Sequence, residues 1–450
     1  MSFTSDFEIL LEKTICSNTL SQARQLADAY PSTNLPYTLK IYSLLNELQQ
    51  KEFPFRIYDP NIMLNPNAHI VIYLSDNYIL RYIARQFASF FQKRGCQTFL
   101  FDVKDFAKIT TDFFQFAKQG ISAAFFFNHV GLSQLLENGT NLWGTLHIPC
   151  YDFVVDHPMY YADSLDQPPA RTTLLCADRT HVTYAQKYYP HLQSVCFLPT
   201  GGCNPCQWNN NSDFTDDYRR RPIDLLFIGS YKSIPLKYSS FDLNILEYLR
   251  NNPSTPFDRA MEILLRKQLS AEEYSLQLCK EQIETHRYLE TNITSAYRKD
   301  ILEAFLKKGL TIEVYGQGWA DSGLTQYPNF HLSDSIPFEE GLAIMGKAKI
   351  VLNHMAWFKE GSSERIFNAM AQGAVCCTDS SIYLDTILIP NHNCMIYQLT
   401  SDSILKCAEG IHNLLSSPNG IEKLAAIAYK GWQLSAGHTW ESHLSLLFSR

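Results

Sequence analysis

Residues 350–380, IVLNHMAWFKEGSSERIFNAMAQGAVCCTDS, decide the fold. The run opens as an apolar strand and passes into a loop that ends in Gly361, Ser362 and Ser363. It then takes helical spacing from about Ser363 to Gln372, stops at Gly373, and resumes as the strand AVCCTDS (374–380). A glycine just past the last helical residue accepts the left-handed conformation that ends a helix. Strand, helix and strand in this order form a right-handed crossover between parallel strands, which need helices over both faces of their sheet.

The same rhythm repeats on either side. Toward the C-terminal end, DLLFIGS (224–230), TIEVYGQGW (311–319), KIVLNHM (349–355), AVCCTDS and CMIYQL (394–399) form one series of short buried strands. Further upstream, HIVIYLSD (69–76), QTFLFD (97–102), ISAAFFFNH (121–129), CYDFVVDHP (150–158), TTLLCAD (172–178) and SVCFLPTGG (194–202) form another. The fold class is therefore α/β, with two Rossmann-like doubly wound domains. Expected boundaries are an N-terminal accessory helical segment over 1–65, a first domain over 66–205, and a polar linker over 206–222. A second domain over 223–437 follows, and 438–450 form a helix crossing back. The stretch 237–309 is too long for an ordinary crossover and reads as a helical insertion in the second domain. Ligands of open parallel sheets bind beyond the carboxyl ends of the strands, so two such domains are expected to face a cleft.

Bulk composition narrows the partners. The 450 residues suit two or three domains, and 46% hydrophobic with 18% charged residues is the make-up of a folded chain. Lys+Arg 38 against Asp+Glu 45 leaves a formal charge of -7, so no general positive field draws in nucleic acid. The first residues carry Asp6, Glu8 and Glu12 where a secretory signal needs basic residues, and no apolar run reaches the roughly 20 residues of a membrane span. A cytoplasmic location and no transmembrane segment are expected. The 12 cysteines are scattered, several within apolar strands, and read as buried thiols; Cys203 and Cys206 have knuckle spacing without a second pair.

The loop Glu360 to Ser363 carries the chemistry. At the helix start the backbone N–H groups of Ser363, Glu364 and Arg365 lack intrahelical partners, and the dipole adds positive potential, so a diphosphate is welcome there. Arg365 adds a charge-assisted contact if its side chain turns that way. Taken alone, Ser362 or Ser363 also reads as an ordinary helix cap over a packed Ile366, Phe367 and Met370. The whole block, from Glu360 through Ala369-Met-Ala-Gln-Gly373, resembles the glycosyl transferases group 1, which have the GT-B fold, and more closely a spore-coat maturation-type branch. The resemblance covers about 224–450, and the first domain in outline.

That resemblance implies a set of roles. Glu360 would hold hydroxyls of the donor sugar, and Gly361, Ser362, Ser363, Glu364 and Arg365 would surround the diphosphate. The family's second carboxylate, at the ribose, is replaced here by Asn368, with Glu364 as a possible substitute. Gly229 and Ser230 end the first strand of the donor domain, where the family brings a glycine loop to the diphosphate. Gly316, Gly318, Trp319 and Pro337 match the strand, glycine turn and loop that frame the base. In the first domain Asp156 and His157, at the end of a strand, are candidate catalytic groups, His157 being preferred over His129 as the histidine beside the donor sugar. Asp178, Arg179 and His181 form a further polar cluster, which reads equally as a capped helix start.

A glycosyltransferase of hexosyltransferase type follows, using a nucleotide-diphosphate sugar, UDP-sugar being the family's commonest donor, and a hydroxyl of a protein, glycan or lipid-linked acceptor. Retention is favoured on the strength of Glu360, with Asp156 or His157 as base in the inverting alternative. No Asp-x-Asp motif stands in a suitable place, so no metal is expected. A GT-B-like sugar-nucleotide epimerase or hydrolase and a non-catalytic two-domain ligand-binding protein are the competing readings.

Overall fold

The computed structural model describes residues 13, 19–29, 35–55, 65–102, 104, 106–232, 234, 237–355 and 357–448. The expected accessory segment falls partly outside them; within them it forms the helices Leu20–Ala29 and Leu35–Glu52. The chain divides into two compact units. One comprises Met1–Cys176, Ala185–Leu198 and Leu444–Arg450; the other, Ala177–Tyr184 and Pro199–His443.

In the first unit, β1 His69–Leu74, β2 Gln97–Asp102, β3 Ala123–Phe127, β4 Cys150–Val154, β5 Thr172–Cys176 and β6 Ser194–Phe197 form a parallel sheet ordered β2-β1-β3-β4-β5-β6. Every residue of β3, β4 and β5 is buried, as strands covered on both faces must be. Helix Tyr78–Lys93 starts because Asn77 Oδ1 accepts the N–H groups of Ile79 and Leu80, at 3.0 and 3.2 Å. Its buried face places Phe87 and Phe91 against Phe125 of β3. Each such ring contributes about 2–3 kcal/mol through burial. Phe448 from the last helix, Trp440–Phe448, packs on Phe55, Phe90 and Phe91 of the same unit. Helix Leu35–Glu52 is tied in by buried Asn46, which donates to Leu146 O and accepts from Ile121 N.

In the second unit, β7 Ile223–Ile228, β8 Ile312–Tyr315, β9 Phe330–Ser333, β10 Ala348–Leu352, β11 Val375–Thr378 and β12 Met395–Ile396 are ordered β12-β11-β10-β7-β8-β9 and are all parallel. Strand order reverses between β7 and β10, which makes their carboxyl ends the switch point where open α/β sheets take ligands. The long stretch between β7 and β8 holds helices Ser240–Asn251, Phe257–Gln268, Leu276–Thr285 and Tyr288–Lys307.

The polar stretch 206–222, read as a linker, contains helix Asn211–Arg219. Its Phe214 and Tyr218 are fully buried in the second unit's core, while its Asn and Asp residues make up most of the outer face. Composition alone hid the helix because only one apolar stripe faces inward. Among the described residues no helix is long and apolar enough to cross a membrane.

Candidate active site

The switch point is built around a close crossing of two backbones. Beyond β7, Gly229 donates to Tyr315 O and Tyr231 donates to Gln317 O, both at 2.9 Å, so the 229–231 turn lies along the segment after β8. A Cβ on Gly316 would stand 2.3 Å from Gly229 O, closer than any side chain permits. Beneath this turn the fully buried Trp319 donates its indole N–H to Gly229 O at 2.7 Å. Arg298, from the Tyr288–Lys307 helix, donates to Ser230 O at 2.6 Å; its Nε is buried and has no hydrogen-bond partner among the described residues.

From the other side of the switch point, Arg365 donates to Asn353 Oδ1 at 2.8 Å, and Asn353 donates to Thr378 Oγ1 at 2.8 Å. Arg365 also approaches the space a Gly229 side chain would fill, 3.8 Å from its ideal Cβ. Arg365 sits in helix Glu364–Ala371, which Ser363 caps by accepting the Arg365 N–H at 3.4 Å. The carboxylates of Glu360, in the preceding loop, and Glu364, at the helix start, are half-buried and hold no ion pair or hydrogen bond among the described residues. Asp178 holds this loop in place, its Oδ2 accepting the N–H groups of Lys359 and Glu360 at 2.7 and 2.8 Å. Gly361 passes so close to that segment that a Cβ would lie 2.2 Å from Ala177 O.

Positive charge gathers at these strand ends. Burial, reinforced by the Arg365 guanidinium, pushes Arg298 down to about 10. His354 is buried with neither ring nitrogen hydrogen-bonded among the described residues, and its Nδ1 stands 3.4 Å from Asp379 Oδ2, out of line for a bond. Desolvation lowers its pKa against the pull of Asp379, and Arg298 and Lys359 lower it further. Lys359 is lowered as well, first by desolvation, while Asp379, Glu290 and Asp178 oppose the shift. Crowded, partly desolvated cations of this kind gain most from an anion that brings several acceptor oxygens.

The first unit has its own polar cluster at the ends of β3 and β4. Asp156 Oδ2 accepts from Asn128 Nδ2 and from the Tyr161 hydroxyl, both at 2.9 Å. Burial, with Asp156 alongside, pushes the Tyr161 hydroxyl far up. Asn128 and His129 both adopt positive φ, 49° and 60°, an uncommon conformation for residues with side chains. His129 Nδ1 stands 2.6 Å from buried Asp152 Oδ2, and its ring lies 4.6 Å from that of Tyr161. His157 Nδ1 accepts the Met159 N–H at 3.1 Å, so the neutral ring carries its proton on Nε2.

Residues 298–449 match the family described as Glycosyl transferase-like. The matched stretch holds the C-terminal part of the second unit, which is in this respect similar to glycosyltransferases. The match is to this wider family and does not distinguish the spore-coat branch expected from the sequence. No curated protein sequence matches the chain significantly. Among solved structures, the chain is similar to sucrose-phosphate synthase from Thermosynechococcus elongatus at 9% identity and a TM-score of 0.44, covering 84% of this chain and 97% of that one. It is similar to Anabaena HepE, solved in complex with UDP and glucose, at 9% identity and 0.44, covering 84% and 97%. A glycosyltransferase from Rickettsia africae is similar at 7% identity and 0.46, covering 84% and 96%.

In the second unit the expected site residues divide by what they touch. Gly229, Ser230 and Arg365 meet at the switch point, and Gly361, Ser362, Ser363, Glu360 and Glu364 form the loop and helix start beside it. Ser362 is fully buried and spends its hydroxyl on Thr200, 3.1 Å away. Gly316, Gly318 and Trp319, expected around the base, support the 229–231 turn from below; a Cβ on Gly318 would stand 2.0 Å from Tyr231 O. Pro337 starts helix Phe338–Met345 after a run of exposed residues from His331 to Ser335.

Asn368 is 1% exposed and its Oδ1 accepts the Cys203 N–H at 2.8 Å, so it fastens the 203 segment to the helix. The thiols of Cys203 and Cys206 both face the Gln372 amide. Arg298, His354 and Asn353 were not singled out from the sequence; Asp178 was, in a polar cluster with Arg179 and His181 that reads equally as a helix start. The end of KIVLNHM carries a signal for Asn353 and His354, polar residues at a strand's carboxyl end. Arg298 has none, since it stands in a helix of the insertion.

Proposed function

We propose that this protein transfers a hexose from a nucleotide-diphosphate sugar, with UDP as the nucleotide, to an acceptor hydroxyl. The observation that carries this reading is the meeting of Arg298, Arg365 and the helix start at Ser363 at the switch point of the second unit, whose C-terminal part is similar to glycosyltransferases. Two guanidiniums and a row of backbone N–H groups suit the diphosphate before and after its bond to the sugar breaks. Arg298 keeps a buried N–H without a partner among the described residues, which a phosphate oxygen would satisfy. Glu360 and Glu364, uncommitted, are available to sugar and ribose hydroxyls.

The transfer is proposed as retaining. The bond from the sugar's C1 to the diphosphate oxygen breaks, the acceptor oxygen bonds to C1 on the same face, and the acceptor's proton passes to the leaving phosphate oxygen. Arg298, Arg365 and the helix N–H groups take up the charge on the leaving group, the role a cation would otherwise fill, so no metal is assigned. The His157 ring is no strong candidate for the base of the inverting alternative, since its Nδ1 already accepts the Met159 N–H. Asp156, already accepting from Asn128 and Tyr161, is a weakened base for the inverting alternative.

The experiment is to incubate the protein with a panel of nucleotide sugars and follow free nucleoside diphosphate with and without hydroxyl-bearing acceptors. Acceptor-dependent release is expected, and Glu360→Ala should reduce it on the order of 100-fold with the fold intact. Binding of none of the nucleotide sugars would overturn the reading; tight binding with no release in any condition would make this a ligand-binding protein.

A further inference from the structure

Two thiols of the second unit touch. Cys377, on β11, and Cys407, on the helix Ser401–Ser416, have their Sγ atoms 3.6 Å apart, although 30 positions separate them in sequence. Cys377 is fully buried, whereas Cys407 is half-buried and open to a small solute. The other half-buried thiols among the described residues have different partners: Cys196 Sγ lies 3.3 Å from Ser194 Oγ, and Cys206 Sγ lies 3.1 Å from Gln372 Oε1. The proposed sugar transfer makes no use of the Cys377–Cys407 contact.

We propose that this pair is a reversible oxidation site, independent of the sugar transfer, at which hydrogen peroxide converts the two thiols to a Cys377–Cys407 disulfide. An S–S bond is about 2.05 Å long, so the sulfurs must close by about 1.5 Å, which rotation of the half-buried side chain and a small shift of its helix can supply. Cys407 reacts first, because the peroxide reaches it and because a hydrogen bond from the Cys377 thiol favours its thiolate, holding the Cys407 thiol below its ordinary pKa against the effect of burial. Its sulfur attacks one peroxide oxygen, the O–O bond breaks, and the other oxygen leaves as water with the thiol proton, giving a sulfenic acid on Cys407. Cys377, raised by the same hydrogen bond and by burial, is guarded from peroxide itself but lies in contact with that sulfur. Its own sulfur then attacks the sulfenic sulfur, the S–O bond breaks, and hydroxide leaves as water with the Cys377 proton. Two thiols and one peroxide thus give one disulfide and two waters. The new bond fastens the helix to β11 one residue before Thr378, whose Oγ1 accepts from Asn353 at 2.8 Å.

The test treats the folded full chain with hydrogen peroxide, raised until Cys196 or Cys206 begins to react, then blocks the free thiols and maps every cysteine by peptide mass spectrometry. A peptide linking 377 to 407 is expected, lighter by about two mass units than its two parts and lost on treatment with a dithiol reductant. In Cys377→Ser, dimedone should capture the Cys407 sulfenic acid at least about five-fold more than in the parent, which consumes that intermediate. In Cys407→Ser, Cys377 should stay reduced at the same dose. A parent whose Cys196 or Cys206 is oxidised while Cys377 and Cys407 remain unlinked, or a Cys407 joined to a different cysteine, overturns the proposal, and Cys377 oxidised in Cys407→Ser overturns the order of attack. Should Cys377→Ser fail to fold, the peptide map of the parent decides alone.

Discussion

Asp178 and Glu360 are joined through the backbone: one carboxylate oxygen of Asp178 accepts the Glu360 N–H at 2.8 Å and the Lys359 N–H at 2.7 Å. Its other oxygen accepts the Thr180 N–H and hydroxyl, both at 2.7 Å. A residue that reads as a helix cap thus also fixes the loop holding Glu360, the carboxylate proposed for the donor sugar.

Asp178→Asn tests this link. An asparagine has one acceptor oxygen and one donor amide, so whichever pair of N–H groups meets the amide loses its acceptor. Leaving buried donors unsatisfied costs about 1–3 kcal/mol, to be read in a denaturation midpoint. Sugar transfer should fall at least about ten-fold while UDP binding, which rests on other residues, changes less. Parent-like stability and turnover in this variant would show that the loop holds itself.

Arg298 and Arg365 should act together on the diphosphate. Arg365 lies near enough to help lower the Arg298 pKa, and a shared anion would couple the two. Alanine at either position should weaken UDP affinity on the order of ten-fold or more. The double variant should lose less than the product of the single losses, and the salt dependence of binding should flatten. Arg298→Lys keeps the charge but not the planar fork that reaches Ser230 O, so it should restore only part of the affinity. Independent effects of the two would place them on different groups of the ligand.

Stability should fall in mild acid through His443. Burial, with His438 nearby, lowers this imidazole from 6.5 to about 4, and its ring nitrogens contact His438 Nδ1 at 3.1 Å and Pro199 O at 3.2 Å. The folded state holds His443 neutral, while the unfolded chain takes up a proton below about pH 6.5. The unfolded state therefore binds more protons between about pH 6.5 and 4, and stability declines as pH falls through that window. At about 1.4 kcal/mol per pKa unit the full loss is on the order of 3 to 4 kcal/mol. Urea titrations at pH 7 and 4.5 check it; His443→Gln should show a smaller pH dependence, and an identical slope would remove His443 as its source.

The two sheets were readable because parallel strands buried on both faces are nearly continuous apolar runs, as in AAFFF at β3 and IVL within β10. The loop and helix from Glu360 to Gly373 were readable because small residues, a helical period and a glycine stop are local signals. What escaped was non-local. Arg298 reaches Ser230 across 68 positions of sequence, and Asp178 reaches Glu360 across 182. No periodicity records such contacts. Asn368 shows the same: its Oδ1 meets the backbone of Cys203, 165 positions away. The helix at 211–219 was missed because its polar face outnumbers the two aromatic residues that anchor it.

Gly316 gives the sharpest test of the turn that presents Gly229 and Ser230. In Gly316→Ala the new methyl would meet Gly229 O at 2.3 Å, and that carbonyl cannot retreat freely because Trp319 donates to it from below at 2.7 Å. The 229–231 turn must shift, taking with it the Ser230 carbonyl that receives Arg298. Overpacking of this kind costs about 1–3 kcal/mol, and UDP affinity should drop on the order of ten-fold. Gly323→Ala is the matched control: Gly323 also has a positive φ, 77°, but a Cβ there meets nothing within 4 Å. That variant should lose about 1 kcal/mol to backbone strain with UDP affinity unchanged. Equal affinity losses in the two would mean that the damage comes from general destabilisation and not from the position of the turn.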